Sequence, residues 1–127
     1  MVGIVLVSHS AELARGLAEL AGQVAGEGTR VFAAGGGPDG TLGTSADVVQ
    51  AAIDKADGGD GVVILADIGS AILTVKGVLS VQPNGHVRLA DAPLVEGAVA
   101  AAVAASAGLS LDEVIQSAEE ARNANKL

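Results

Sequence analysis

The chain has 127 residues, enough for one domain with a full core, and half of them are apolar although Phe32 is the only aromatic. Seven basic against fifteen acidic residues leave a net charge of −8, which speaks against nucleic acid as a partner, since phosphates need clustered Lys and Arg. The absence of cysteine excludes disulfides, thiolate metal sites and cysteine nucleophiles.

Val2 to Val7 is a β-branched and leucine run of strand length, as in a strand buried on both faces. Leu13, Leu17, Leu20, Ala21 and Val24 then recur at helical spacing, predicting a helix that buries this stripe and stops at Gly26 and Gly28. Arg30 to Ala34 reads as a second short strand, followed by a glycine-rich loop from Gly35 to Gly43. Thr44 or Ser45 caps a helix whose stripe is Val48, Val49, Ala52 and Ile53. Asp57 to Gly61 turns the chain into the strand Val62 to Ala66. A helix over about Ser70 to Val81 follows, with Ile72, Val75 and Leu79 inward. Pro83-Asn84-Gly85 is a turn before a strand from Val87 to Ala90. An alanine-rich helix from Pro93 to Ala107 and a last helix opened by a Ser110–Glu113 capping box end the chain.

Strands alternating with helices predict a single α/β domain over residues 1–127, a three-layer sandwich on a mostly parallel sheet of four strands. In a sheet of order 2-1-3-4, ligands sit beyond the carboxyl ends of the first and third strands, where the strand order reverses. His9 lies two residues past the first strand and Asp67 directly past the third, and neighbouring strands run only about 4.8 Å apart. A nucleophilic imidazole, a carboxylate to orient it and the hydroxyls of Ser8, Ser10 and Ser70 would meet there. Gly69 and Ser70 open a helix, whose N–H groups favour anions. With no lysine beside them, these groups suit a phosphoryl group carried on the imidazole. Taken alone, Ser8-His9-Ser10 is more often a helix cap and Asp67 a loop or capping residue; their shared place at the switch point balances the two readings. His86 reads as a solvated residue at the start of the last strand.

Other motifs fail. Gly35-Gly36-Gly37-Pro38-Asp39-Gly40 matches GxGxxG but runs into a turn, not into the helix that dinucleotide binding requires. There is no P-loop, two distant histidines make a poor zinc site, and a Ser-His-Asp hydrolase lacks its GxSxG elbow. No metal or cofactor is expected.

The stretches GIVLVSHS (3–10), GTS (43–45), LADIGSA (65–71) and APLVEGA (92–98) together resemble one family. It is the phosphotransferase subunit family of the phosphoenolpyruvate-dependent dihydroxyacetone kinases, in the domain similar to the mannose-class IIA proteins. The resemblance covers essentially the whole chain. It implies that His9 is the phosphorylated residue and that Asp67 orients it. It further implies a homodimer, the histidine phosphocarrier protein as donor, and as acceptor the ADP bound on the nucleotide-binding kinase subunit. Some members carry the donor fused behind this domain, so this chain would use a separate donor or be part of a longer protein. Met1 leads straight into a strand and the longest apolar run, Ala98 to Ala105, is too short for a bilayer, so a cytoplasmic location without membrane contact is expected. The alternative class is a non-covalent small-ligand or regulatory domain using the same cleft.

Overall fold

The computed structural model describes residues 1–81 and 85–127. Four strands, β1 (Gly3–Ser8), β2 (Val31–Gly35), β3 (Val62–Ala66) and β4 (Val87–Leu89), form one parallel sheet in the order β2-β1-β3-β4. Five helices connect and follow them: α1 (Ala11–Ala25), α2 (Ala46–Ala56), α3 (Gly69–Val81), α4 (Leu94–Ser106) and α5 (Leu111–Glu120). All residues of β1 and β3 are buried, because helices cover both faces and a parallel sheet leaves neither to water. Alternation along the strands divides the interior. Ile4, Leu6, Val63 and Leu65 meet α1, α4 and α5 on one face, while Val5, Val7, Ile64 and Ala66 meet α2 and α3 on the other. This is the expected three-layer sandwich.

The helix ends follow the sequence signals. Ser10 and Ser45 cap α1 and α2 by accepting from Leu13 N and Val48 N, and Ser110 and Glu113 close a capping box on α5. Of the expected Pro83-Asn84-Gly85 turn, Pro83 and Asn84 lie outside the described residues, and β4 begins two residues after Gly85.

The buried faces of three helices differ from the expected ones; on α2, Val49, Ala52 and Ile53 are buried with Ala56, but Val48 is exposed. On α1 the buried side chains are Ala14, Leu17 and Ala21, whereas Leu13, Leu20 and Val24 are exposed. The cause is close approach. A Cβ on Gly35 would lie 2.7 Å from Ala11 Cα and 2.8 Å from Ala14 Cβ, so the side of α1 that meets β2 has room only for small residues. The leucines are turned outward by the same fit. On α4, small side chains nearly all round predict packing on the sheet with one side and on a second subunit with the other, but Ala98, Ala101, Ala102, Ala104 and Ala105 are all buried within the chain, between the sheet, α1 and α5. Its exposed or half-buried positions include the row Val95, Val99 and Val103, with Glu96, Ala100 and Ser106 beside it. Among the described residues no helix is long and apolar enough to cross a membrane.

Candidate active site

The site grows from the register of the two central strands. Val7 of β1 pairs with Ala66 of β3, and Asp67 N donates to Val7 O at 3.1 Å, so the residues after each strand leave the sheet side by side. His9 and Asp67, 58 positions apart in sequence, thereby come into direct contact.

The carboxylate of Asp67 accepts four hydrogen bonds. Its Oδ2 takes the Ser8 hydroxyl at 2.9 Å and the His9 amide at 3.0 Å, and its Oδ1 takes the Ile68 amide at 2.8 Å and His9 Nδ1 at 3.2 Å. Burial opposes the charge, but the bonds from the His9 and Ile68 amides, the Ser8 hydroxyl and the His9 ring outweigh it and hold the carboxyl below its ordinary pKa. A carboxylate can only accept, so Nδ1 of His9 must carry a proton. In the neutral ring Nε2 then bears the lone pair, and the group against it is the Ser70 hydroxyl, which donates to it.

Each anchoring side chain has a local cause. Ser8 ends β1 and is wholly buried; besides donating to Asp67 it accepts from Ser10 N at 3.0 Å. Its hydroxyl therefore serves the carboxylate rather than an incoming anion, a role that its place in a Ser-His-Ser triplet does not reveal. Ser10 caps α1, with its oxygen taking Leu13 N at 3.2 Å. Gly69 and Ser70 begin α3 and are exposed, and their amides lie in a first turn where no helical carbonyl precedes them. The glycine-rich loop closes over the same place: Gly43 N donates to His9 O at 3.1 Å and Gly36 N to Ser8 O at 3.1 Å. No local sequence pattern announces that latch.

Of the residues singled out from sequence, His9, Asp67 and Ser70 are joined by direct hydrogen bonds. Gly69 borders them and Ser10 faces its own helix. His86 is elsewhere: its Nε2 lies 3.2 Å from Asp57 Oδ1, so it is partnered rather than merely solvated. Among the described residues no three His, Asp or Glu side chains gather where a metal ion would sit.

Residues 3–115 match the EIIA-man family model, described as the fructose IIA component of the phosphotransferase system. The chain belongs to the EIIA-man family. Relatives in it carry the name phosphoryl donor subunit DhaM of a PEP-dependent dihydroxyacetone kinase. One from Providencia stuartii is 39% identical over 99% of this chain and 28% of its own length, and one from Listeria innocua is 36% identical over 91% of this chain and 95% of its own. The chain thus spans about 28% of the length of the Providencia, Klebsiella and Escherichia relatives, and nearly all of the Listeria one. A crystal structure of a protein of unknown function superposes with a TM-score of 0.85 at 35% identity, covering 99% of this chain and 96% of that one. A phosphotransferase system component EIIA from Streptococcus agalactiae, 13% identical with a TM-score of 0.71 over 97% of this chain and 93% of its own, shares the fold.

Proposed function

We propose that the protein is a phosphohistidine carrier of a dihydroxyacetone kinase relay, and hence a phosphotransferase component. What carries the reading is the pairing of a proton-bearing Nδ1 on Asp67 with an Nε2 lone pair turned outward at the carboxyl end of the sheet. Nε2 attacks the phosphorus of a phosphorylated donor; a new N–P bond forms as the donor's bond to phosphorus breaks. The imidazole becomes cationic, and the charged Asp67 carboxylate against Nδ1 stabilises that cation. The Ser70 hydroxyl then turns from Nε2 to the phosphoryl oxygens, joined by the amides of Gly69 and Ser70 and the proton of the Ser10 hydroxyl. With no lysine or arginine in this set, the phosphate is held reactively; a cationic clamp would stabilise the phosphohistidine and slow its onward transfer.

The donor in this reading is the histidine phosphocarrier protein, and the acceptor is ADP on the nucleotide-binding kinase subunit, with dihydroxyacetone as the final substrate, all in the cytoplasm. The names of the relatives from Providencia and Listeria support this assignment. Protein partners also fit the surface, since Leu13, Leu42, Ile68 and Leu73 are exposed on α1, the glycine-rich loop and the segment that follows Asp67, all elements that lead to the site. A homodimer through the Val95–Val99–Val103 row of α4 completes the proposal.

Incubation with phosphoenolpyruvate, the first enzyme of the system and the phosphocarrier tests it. The expected result is an acid-labile mass gain of one phosphate in the wild type and in His86→Ala, and none in His9→Ala. No gain in the wild type leaves the non-covalent binding module; loss in His86→Ala alone overturns the assignment of His9.

A further inference from the structure

The relay employs Ser70 only as a donor to phosphate. In the unphosphorylated protein the same hydroxyl is in another situation. Ser70 Oγ–H points at His9 Nε2, and His9 Nδ1–H is held by Asp67 Oδ1, which is itself fixed by Ile68 N. A serine proton directed at an imidazole whose other nitrogen is locked by a carboxylate is the arrangement by which a general base activates a hydroxyl nucleophile. The GxSxG elbow missing from the sequence is one fold's way of exposing such a serine. Here exposure comes from position, because Ser70 is the second residue of the 13-residue helix α3 and lies open to solvent. Negative charge developing on an attacked group beside that first turn is favoured by its N–H groups. The cap serines provide an internal contrast: the oxygens of Ser10, Ser45 and Ser110 take backbone N–H groups, and none of these hydroxyls is bonded to an imidazole.

We infer that Ser70 is a second nucleophile of the site, activated by His9, which accepts small activated acyl or phosphonyl groups. With an alkyl phosphonofluoridate, the Ser70 Oγ lone pair forms the O–P bond. The P–F bond breaks and fluoride leaves with the bonding pair, while the serine proton passes to His9 Nε2 and from there to water. The product ester occupies the space in front of Nε2, so modification of Ser70 and use of His9 exclude each other. The inference rests on the geometry of the three side chains and holds whether or not His9 serves a phosphate relay.

The test treats the full chain with an alkyl phosphonofluoridate and follows intact mass, peptide mapping and labelling rate, with folding checked by circular dichroism. A single adduct on Ser70 is expected, absent in Ser70→Ala and retained in His86→Ala. Removing the base in His9→Ala slows labelling about a hundredfold or more. Asp67→Asn slows it at least about tenfold. No adduct on the wild type, an adduct spread over the cap serines, or unchanged labelling in folded His9→Ala overturns the inference. Should His9→Ala not fold, Asp67→Asn decides, and wild-type labelling there overturns it.

Discussion

Asp67→Asn exchanges one oxygen of a doubly loaded carboxylate for an NH2 group, and the structure leaves that group nowhere to go. Placed at the Oδ2 position, it meets the His9 amide, a donor that cannot reverse, and the Ser8 hydroxyl, which can. Placed at the Oδ1 position, it meets the Ile68 amide, again irreversible, and His9 Nδ1. Either choice strands one backbone N–H, at a site where the Asp67 side chain retains 17% exposure. A stranded donor costs about 1–3 kcal/mol, and partial access to water favours the lower half of that range. At this chain length each kcal/mol lowers Tm by roughly 3–5 °C. The second choice carries a further consequence: Nδ1 must become the acceptor, so the proton moves to Nε2 and the nucleophilic lone pair is lost. By comparison with other histidines held in the wrong tautomer, transfer should fall by about two to four orders of magnitude. Thermal melts give the first number, rapid-quench phosphorylation the second, and the imidazole 15N shifts report the tautomer directly. Wild-type transfer rates with the Nδ1–H tautomer retained would refute the reasoning, whatever the melt showed.

Because its hydrogen bonds outweigh burial and hold the pKa of Asp67 in the folded state below its ordinary value, its contribution to stability is present above that ordinary value and disappears as pH falls through the lowered one. The stability difference between wild type and Asp67→Asn should therefore be constant near neutrality and shrink in acid; parallel acid limbs in urea titrations would contradict this. Gly35→Ala should cost about 1–3 kcal/mol, since its Cβ would press on Ala11 and Ala14, and it should slow phosphorylation by shifting the start of α1 that follows His9; an unchanged urea midpoint removes the argument. Val103→Glu, at a side chain 44% exposed in the isolated chain, should convert a dimer into monomer in sedimentation without loss of helical signal, whereas a charge at the fully buried Ala102 would unfold the chain. A wild type that sediments as a monomer at micromolar concentration dismisses the α4 interface.

Strand identity, strand order and the meeting of His9 with Asp67 were legible in the sequence because each depends on a repeating or topological rule. Continuous apolar runs mark Gly3–Ser8 and Val62–Ala66, and a parallel α/β arrangement brings their carboxyl ends together. The caps at Ser10, Ser45 and Ser110 were legible for the same reason, as local bonds made within three residues. The buried face of α1 was not. Its apolar residues spread over more than one side, and whether Leu13 or Ala14 turns inward depends on how closely β2 approaches, which Gly35 sets from elsewhere in the chain. The service of Ser8 to Asp67 was not legible either, because its hydroxyl is turned to a carboxylate 59 residues away in the chain. The bond from Gly43 to His9 joins two loops across 34 residues of sequence and leaves no periodic trace.

The placement of β1 at the centre of the sheet bears on the order of events in time. β1 precedes both of its neighbours in the chain and pairs with β2 and with β3, through partners such as Ile4–Val31 and Gly3–Val62, so during synthesis it waits longest for its second neighbour. Such distant pairings slow folding, since the intervening chain must be closed before the contact repays it. Nor can His9 find Asp67 until that wait ends. In the proposed relay the nascent protein would therefore be inert toward a phosphoryl donor for as long as β3 is unseated, and chemical competence would arrive together with the completed sheet.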